Sequence, residues 1–597
     1  MTPQNITSQE SKYSFLPIFK AREDLTAFGD NSLLLYALEL KFAIEDINTV
    51  AAECLTDGTD DKKCDLVYVD TENGVAVVAQ GYYSIKPAKK VAPVNKASDL
   101  NTAATWLFSR EINDKYPRQI YSAARVLRDA LESGEIKNIE FWYVHNCRES
   151  HQVRDELASV ERTVKSFVRS DYTSVQEVTA KEIGLETIEQ WYKGTQVAIL
   201  VTDRYSVSVP GGYTLEEGGQ WSAFTTAVPA KWLHELYNKH GDDLFSANVR
   251  GYLGSRSSDK NINAGIKNSV ANQPEKFWTF NNGITALVVE FVVSKNKKKV
   301  DLVGISIVNG AQTTGAIGSV KDLPDVKAMV PARFIKCKNP ETIQEIVRYN
   351  NSQNRIQPAD FRSTDPYQER LRQEFSSYGT GITYLGGRRG GSSDKIKKKQ
   401  AHSHIPSDTA AQSLAAFHQK PRLATKDKGE IWKSDNHYSQ LFNENTRAEH
   451  VVFVYSLHLA VRNYKLSLSR KFKEAIALTK LEQKILNFFE FRGSIWFFIT
   501  AIGHCMETIL DKPVTNKLLI RFNQQKSLSD AENDWKPIVQ VCMPFSTLLE
   551  PALEKALISE SIALPLNSFE ASLMSTRLPN TSIYEEFENK LSMEPWL

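Results

Sequence analysis

The stretch that decides the fold of the N-terminal region is DLVYVDTENGVAVVAQ, residues 65–80. Two apolar runs rich in β-branched residues, Leu66–Val69 and Val75–Ala79, flank the turn sequence DTENG. β-Branched residues favour strands and an Asn-Gly pair favours a tight turn, so this stretch predicts a β-hairpin. Asp65 opens the first strand and Gln80 ends the second. We therefore expect these two polar side chains to converge at the open end of the hairpin.

The sequence around this hairpin predicts helices and one more strand. Apolar positions at helical spacing predict a helix over Asn31–Val50, before the hairpin, and further helices over Asp99–Ser109 and Tyr121–Glu132. The run FWYV, Phe141–Val144, predicts a third strand. Helices that alternate with strands in this way indicate a compact α/β domain.

The remainder of the chain shows two further patterns. From Gln196 to Lys336, apolar runs separated by Gly- and Asn-rich turns indicate a second α/β domain, with a basic hairpin tip at Lys295–Lys299. Beyond residue 436 the spacing is helical, with long stretches at 447–462, 469–489 and 493–510. We therefore predict a multidomain α/β plus α protein: an N-terminal α/β domain (1–180), a central α/β domain (181–365), a basic loop region (366–435) and a helical C-terminal domain (436–597).

Composition limits the classes of function. Of the 597 residues, 41% are hydrophobic and 24% are charged, which is typical of a globular protein. The formal charge of +2 excludes a uniformly basic, histone-like chain, so a nucleic-acid surface must be a local patch. The six cysteines form no CxxC pair, which favours reduced thiols. The most apolar run, Ile495–Gly503, is shorter than the roughly 20 residues of a membrane span. We predict a core helix there, no membrane association and a cytoplasmic location.

Asp65 and Gln80 together suggest a metal site, to which Glu39 of the preceding helix would add a carboxylate. Mg²⁺ prefers several oxygen ligands and can activate water for phosphodiester cleavage. The run Asp65…Gln80-Gly81-Tyr82 resembles the core of restriction-endonuclease-like PD-(D/E)xK nucleases, which implies a Mg²⁺-dependent endonuclease. Tyr82 stands where that family has its lysine, and Lys86 is the nearest lysine downstream. Three interpretations stay open: an active nuclease, an inactive nuclease-derived binding domain, and polar residues that only satisfy the backbone at strand ends.

Three motifs dense in side-chain amides lie in the central region: FNNGIT (280–285), VNGAQTT (308–314) and YNNSQN (349–354). Asn and Gln side chains offer both donors and acceptors, and a helix that begins after Asn-Gly offers an anion site. Each motif alone is also typical of an ordinary Asn-Gly turn. Three of them within 75 residues favour one shared polar pocket.

These motifs, with the continuation NRIQPADFRSTDP (354–366), resemble the core of the abortive-infection phage-resistance (AIPR) family. The resemblance implies a bacterial antiphage protein that commonly has a nuclease-like N-terminal domain. The same order of elements is similar to ParB-like and DGQHR domains, which implies nucleotide binding. The residues that would bind the nucleotide are Asn309, Gly310, Gln312 and Thr313 in the first element, and Asn351, Gln353 and Arg355 in the second.

A basic loop, GGRRGGSSDKIKKK (386–399), contains six Arg or Lys residues against one Asp. A flexible basic loop can follow a phosphate backbone without recognising sequence, although a solvated surface loop has the same composition. The candidate nucleic-acid-binding residues are Arg388, Arg389, Lys397, Lys398 and Lys399. His402 and His404 nearby have no third ligand at convincing spacing, which favours surface histidines over a metal site.

Two functions follow from the sequence. The first is an antiphage defence protein that acts on nucleic acid, DNA more than RNA, as a Mg²⁺-dependent nuclease. The alternative is a non-catalytic factor that binds a nucleotide or DNA and signals to a partner enzyme, and Tyr82 argues for this alternative. A homo-oligomer or partner proteins encoded in the same operon are compatible with both.

Overall fold

The computed structural model describes residues 13–56, 62–84, 91–109, 118–196, 201–217, 220–241, 244–245, 265–337, 342, 346, 362, 365–384 and 403–596, apart from residues 43, 271, 321–327 and 475. The chain divides into two compact units. Unit 1 comprises residues 1–44, 62–110 and 127–355, and unit 2 comprises residues 45–61, 111–126 and 356–597. Loops 85–90 and 386–399 and the motif at 349–354 lie outside the described residues.

The first sheet of unit 1 has four strands in the order β1-β2-β3-β4. The strands are β1 Leu66–Asp70, β2 Val75–Tyr82, β3 Asn138–His145 and β4 Glu177–Ile183. β1 and β2 are antiparallel, with Leu66 opposite Ala79 and Asp70 opposite Val75, which confirms the predicted hairpin. β3 and β4 extend the sheet in parallel to β2. The carboxyl ends of β2, β3 and β4 therefore lie along one edge.

Helices precede, connect and follow these strands: α1 Phe15–Lys20, α2 Glu23–Thr26, α3 Ser32–Phe42, α4 Ile47–Cys54, α5 Val94–Ser109, α6 Arg118–Glu132, α7 His151–Asp171 and α8 Leu185–Gln196. The single helix predicted over Asn31–Val50 is wrong, because the chain forms α3 and then α4. Asp46 starts the second helix, since its carboxylate accepts a hydrogen bond from Thr49 N at 3.0 Å. α4 belongs to unit 2, as does the first half of α6.

Both faces of the first sheet are covered. Trp142 stacks on Phe42 of α3 with ring centroids 5.8 Å apart, and Phe141, the preceding residue of β3, contacts Phe108 of α5 at 6.3 Å. Successive side chains of a strand point to opposite faces, so α3 and α5 lie on opposite sides. Burial on both faces explains why β3 is apolar without alternation.

The second sheet of unit 1 has seven strands: β5 Val201–Ser208, β6 Tyr213–Glu217, β7 Trp221–Pro229, β8 Ile284–Val288, β9 Glu290–Val293, β10 Lys299–Asn309 and β11 Met329–Cys337. Their order is β5-β10-β8-β11-β7-β6, and β9 pairs with β10 across the basic tip. Only β8 and β11 are parallel among these pairs. The helices that accompany the sheet include α9 Ala230–His240, α10 Phe277–Phe280 and α11 Ala311–Gly318. α9 and α11 pack against each other beside an apolar core that includes Phe224, Ile307 and Phe334.

Unit 2 is mainly helical. Its further helices are α12 Pro366–Ser376, α13 Ser407–Phe417, α14 Pro421–Thr425, α15 Glu430–Lys433, α16 Asp435–Leu441, α17 Ala448–Lys473, α18 Lys480–Phe489, α19 Ser494–His504, α20 Met506–Leu510, α21 Leu528–Cys542, α22 Glu550–Glu554, α23 Ser559–Ser575 and α24 Thr581–Glu588. Two short strand pairs join β12 Thr383–Tyr384 to β13 His404–Ile405 and β14 Arg521–Phe522 to β15 Leu591–Ser592. The mixed α/β content and the helical C-terminal region confirm that part of the predicted fold.

The helix boundaries correct two of the predicted stretches. The stretch 469–489 contains a break, because α17 runs on to Lys473 and α18 starts at Lys480. Thr479 and Glu482 start α18 with a reciprocal capping box. α19 is buried along almost its whole length, which confirms the predicted core helix.

Within the described residues, no single helix is long and apolar enough to cross a membrane, although α18 and α19, bent by 106°, pass that test of length and composition as a pair. The six cysteines, all within the described ranges, form no disulfide.

Candidate functional site

Asp65 lies where the sequence predicted, at the open end of the first hairpin. Its Oδ2 accepts a hydrogen bond from Gly81 N at 2.7 Å, and its own N–H donates to Ala79 O at 2.9 Å. A Cβ placed on Gly81 would lie 3.4 Å from Asn31 Oδ1 and 3.7 Å from Asp65 Oδ2. The Asp65 carboxylate therefore lies beside Asn31, a buried amide that the sequence analysis missed.

Gln80 is buried, with 3% of its surface exposed, and its Oε1 has no hydrogen-bond partner in the part of the chain that the structure describes. It lies opposite Tyr143 of β3, whose hydroxyl donates to Pro93 O at 3.2 Å, just before α5. Because side chains alternate along a strand, Gln80 and the Cβ direction of Gly81 point to opposite faces of the sheet. Gln80 therefore faces the side of α5, whereas the Asp65 carboxylate lies near the α3 side.

The remaining predicted carboxylate is already paired. Glu39 Oε2 lies 2.7 Å from Nη1 of Arg22, which also binds Asp24 at 2.7 Å. Lys86, the alternative lysine, lies outside the described residues.

These contacts decide whether the residues fit Mg²⁺. No group of three or more His, Cys, Asp or Glu side chains placed to hold a metal ion occurs among the described residues. Mg²⁺ prefers several oxygen ligands in near-octahedral geometry. Asp65 is hydrogen-bonded to Gly81, Glu39 is paired with Arg22, and Gln80 points to the other face. Asp65, Glu39 and Gln80 therefore do not form one Mg²⁺ site together, and no chemical step is assigned to a metal ion.

A buried polar pair at the same edge of the sheet was also missed. His145 Nε2, at the end of β3, lies 3.1 Å from Glu182 Oε1, near the end of β4, and both side chains are almost fully buried. Ser150 N, at the start of α7, donates to both oxygens of Glu182 at 3.1 and 3.0 Å. A carboxylate at a helix N-terminus is favoured by the helix dipole. Glu182 therefore fixes α7 to the sheet.

Two of the three Asn-rich motifs meet at one place. Asn281 Oδ1 accepts hydrogen bonds from Gly283 N at 2.7 Å and from Thr313 Oγ1 at 3.2 Å. Gly310 begins α11 with a φ of 92°, and Thr314 Oγ1 donates back to its carbonyl at 3.0 Å. The predicted convergence is thus present for the motifs at 280–285 and 308–314. The third motif, with Asn351, Gln353 and Arg355, lies outside the described residues.

The glycines of these two motifs serve packing between chain segments. A Cβ on Gly310 would lie 2.5 Å from Gly283 O, and a Cβ on Gly283 would lie 2.1 Å from Pro331 O. Both glycines also have positive φ, 77° at Gly283 and 92° at Gly310. Part of the Asn-Gly signal is therefore structural, because only glycine lets these segments approach so closely.

An arginine that the sequence did not single out lies next to the Asn-rich motifs. Strand register places Asn309 opposite Thr285, and Thr285 opposite Arg333. Arg333 Nη2 donates to Thr285 Oγ1 at 3.2 Å, and its side chain is exposed. The flanking residues Ala332 and Phe334 belong to the core beside α9 and α11, so Arg333 points to the opposite face of the sheet.

The basic loop that contains Arg388, Arg389, Lys397, Lys398 and Lys399 lies outside the described residues, as does His402. His404 lies on β13, where its Nδ1 is 3.1 Å from Thr383 Oγ1.

Comparison with known proteins gives one match. A sequence profile described as AIPR protein matches residues 245–544, a range that contains all three Asn-rich motifs and much of the helical unit. The first sheet, with Asp65 and Gln80, lies before the matched range. No curated protein and no solved structure matches the chain.

Proposed function

The chain belongs to the AIPR protein family, and from this membership we propose that it binds phosphate groups of a nucleotide or nucleic acid at the start of α11. AIPR membership supports a role in antiphage, abortive-infection defence. The observation that carries the proposal is the hydrogen bond between Thr313 and Asn281, because it joins two amide-rich motifs at a helix start.

The start of α11 has the chemistry that an anion needs. The first N–H groups of a helix have no intrahelical acceptor, and the helix dipole adds partial positive charge there. Gly310 adds no side chain over these groups, and Asn281 orients the Thr313 hydroxyl. Phosphate is one of the anions that helix starts bind.

Titration of ATP and of a 12-nucleotide DNA strand into the protein tests this site. We expect Thr313→Val and Gln312→Ala each to weaken binding by about fivefold, because one hydrogen bond contributes about 1 kcal/mol. Gln483→Ala, an exposed glutamine of α18, is the matched control and should bind as the wild type does. Unchanged binding in both site variants, or no binding by the wild type, would mean that the contact between Asn281 and Thr313 has only a structural role.

A second candidate function is the Mg²⁺-dependent nuclease, and one observation favours it. Gln80 Oε1 is a buried acceptor without a described partner at the carboxyl ends of parallel strands, where α/β proteins bind ligands. Tyr82 in place of the lysine and the pairing of Glu39 with Arg22 count against it.

A cleavage assay with plasmid DNA and Mg²⁺ decides between the two functions. An active nuclease should lose cleavage in Asp65→Ala and keep it in Asp155→Ala, a control at an exposed position of α7. Cleavage that survives Asp65→Ala would exclude Asp65 as a catalytic residue. Absence of cleavage by the wild type would favour a binding factor that signals to a partner enzyme, and copurification would identify that partner.

A further inference from the structure

Three large apolar side chains are exposed where α17 turns into α18, in unit 2. Phe472, Ile476 and Leu481 are 46%, 50% and 45% exposed. They lie in the last turn of α17, in the connection and in the first turn of α18. We call this end of the helix pair, residues 470–474 and 476–484, the helical tip.

Side-chain contacts show how the two helices of the tip run past each other. Lys465 Nζ lies 6.0 Å from the ring centroid of Phe489. Further along α17, Lys471 Nζ donates to Glu482 Oε1 at 2.8 Å, and Glu482 comes before Phe489 in α18. The helices are therefore antiparallel neighbours along this stretch. The capping box of Thr479 with Glu482 fixes the start of α18.

Phe472 and Leu481 lie across from each other in this arrangement. Phe472 follows Lys465 by seven residues, a spacing that keeps both on one face of α17. Leu481 precedes Phe489 by eight residues, which is also a same-face spacing. Both side chains therefore continue the faces that the two helices turn towards each other, with Ile476 in the connection between them. The tip exposes one apolar cluster rather than three scattered side chains.

The helical tip is also basic. It contains five basic and two acidic residues, in a chain whose formal charge is only +2. Lys471 pairs with Glu482, and the exposed Glu474 offsets one more positive charge. Three exposed basic residues of the tip form no ion pair with any residue that the structure describes: Arg470, Lys480 and Lys484. An excess of positive charge therefore surrounds the apolar cluster.

A surface that is both apolar and basic fits an anionic phospholipid bilayer. Exposed Phe and Leu side chains enter the boundary between head groups and acyl chains, and nearby Lys and Arg are attracted to anionic head groups. Nucleic acid would also supply negative charge, but the aliphatic side chains of Ile476 and Leu481 do not stack on bases as aromatic rings do. We propose that the helical tip binds the surface of an anionic membrane.

This contact lies on the membrane and needs no spanning helix. It departs from the prediction of no membrane association, because that prediction rested on the length of the most apolar run. The phosphate site proposed at the start of α11 belongs to unit 1, whereas the tip belongs to unit 2. The two proposals therefore rest on different residues and are tested separately.

Cosedimentation with unilamellar vesicles tests the apolar cluster. Wild type should bind vesicles of phosphatidylcholine and phosphatidylglycerol in equal parts, and bind phosphatidylcholine vesicles much more weakly. Phe472→Ala and Leu481→Ala should each weaken binding to the anionic vesicles by about 3- to 12-fold, because about half of a large apolar side chain enters the bilayer. Leu578→Ala, at a leucine that is 89% exposed after α23, is the control and should bind as the wild type does.

The basic residues are tested in the same assay. Lys480→Gln combined with Lys484→Gln should weaken binding by about 30-fold at low salt, because each lysine near an anionic surface contributes about fivefold. The control combines Lys536→Gln with Lys555→Gln, two exposed positions of the same unit, and should bind as the wild type does. Thermal melting should be the same for all variants, since each changes an exposed side chain.

Insertion is measured by quenching of tryptophan fluorescence with lipids that have brominated acyl chains. Phe472→Trp should be quenched more than the wild type, whose own tryptophans give the baseline, and Leu578→Trp should not. Equal quenching in both variants, or unchanged vesicle binding in the tip variants, would overturn the proposal. If the wild type bound no anionic vesicles but lost DNA binding in the lysine variant, the tip would bind nucleic acid instead. No nucleotide is present in the vesicle assay, so its outcome is independent of the phosphate site.

Discussion

Lowering the pH from 7 to 5 should destabilise unit 2 through His450. This side chain is fully buried; its Nδ1 lies 2.8 Å from Ile520 O and its Nε2 lies 3.0 Å from His418 Nε2. A carbonyl only accepts, so His450 Nδ1 carries the proton and its Nε2 accepts from His418. A second proton on His450 would face the N–H of His418. The neutral pair is therefore satisfied, and the protonated pair is not.

The magnitude follows from the pKa. Burial lowers the pKa of His450 to about 4 and lowers that of His418 well below its usual value, with Lys517 and Lys420 adding to the effect on His418. Because the folded pKa lies below the unfolded value of about 6.5, the unfolded chain binds more protons at intermediate pH. The stability from this group is complete above pH 6.5 and is lost as the pH falls towards 4. At pH 5 the loss from His450 alone is about 2 kcal/mol.

Urea unfolding at pH 7 and pH 5 measures this loss. Hydrogen exchange of the α17 amides reports the unfolding of unit 2. The comparison variant is His450→Asn, which does not titrate and keeps a donor for Ile520 O. Wild type should lose about 2 kcal/mol more than the variant between the two pH values. Equal losses in both proteins would refute the assignment, whatever their absolute stability at pH 7.

Three further predictions follow from local contacts. Gly310→Ala should lower the melting temperature more than Gly381→Ala, because both glycines have positive φ but only the first has a neighbour, Gly283 O, in the way. Gln368→Leu should lower the free energy of unfolding by about 1–3 kcal/mol, because its amide forms hydrogen bonds with the hydroxyls of Tyr384 and Tyr438 at 2.8 and 3.1 Å. The control, Gln373→Leu on the exposed face of α12, should leave that free energy almost unchanged, and thermal unfolding compares the two variants. Alanine at every basic position of loop 386–399 should weaken DNA binding and reduce the dependence of its affinity on salt concentration. An unchanged salt dependence would show that the loop does not bind phosphates. The positions are Arg388, Arg389, Lys395, Lys397, Lys398 and Lys399.

Local sequence patterns were sufficient to predict the elements whose packing partners are close in the chain. The β1–β2 hairpin is one, because a tight turn fixes its register. The break between α3 and α4 was not visible, because apolar spacing continues across residues 43–46. α4 then packs with helices of the C-terminal half, and no local pattern specifies so distant a partner. Helix identity was thus predictable here, but the unit to which a helix belongs was not.

The candidate site divides in the same way. The approach of Asn281 to Thr313 was predictable, because both follow the rule that polar residues at strand and helix ends converge. The position of Arg333 beside Thr285 was not predictable, because it depends on the parallel pairing of β8 with β11, and β9, β10 and α11 lie between these two strands in the chain. Gln80 and Asp65 were predicted to share a site, but residue alternation and the Gly81 hydrogen bond direct them to different sides.

The position of α4 has a consequence for protein synthesis. Thr49 Oγ1 contacts His458 Nε2 at 3.0 Å across 409 positions, and Asp46 pairs with Arg462 at 3.4 Å. At about 5–20 residues per second, the ribosome delivers α17 roughly 20–80 s after α4. During that interval the apolar side of α4 has none of its final neighbours from α17. A nascent chain stopped before residue 458 therefore exposes the side of α4 that α17 covers in the finished protein, which is the kind of surface that chaperones and proteases recognise.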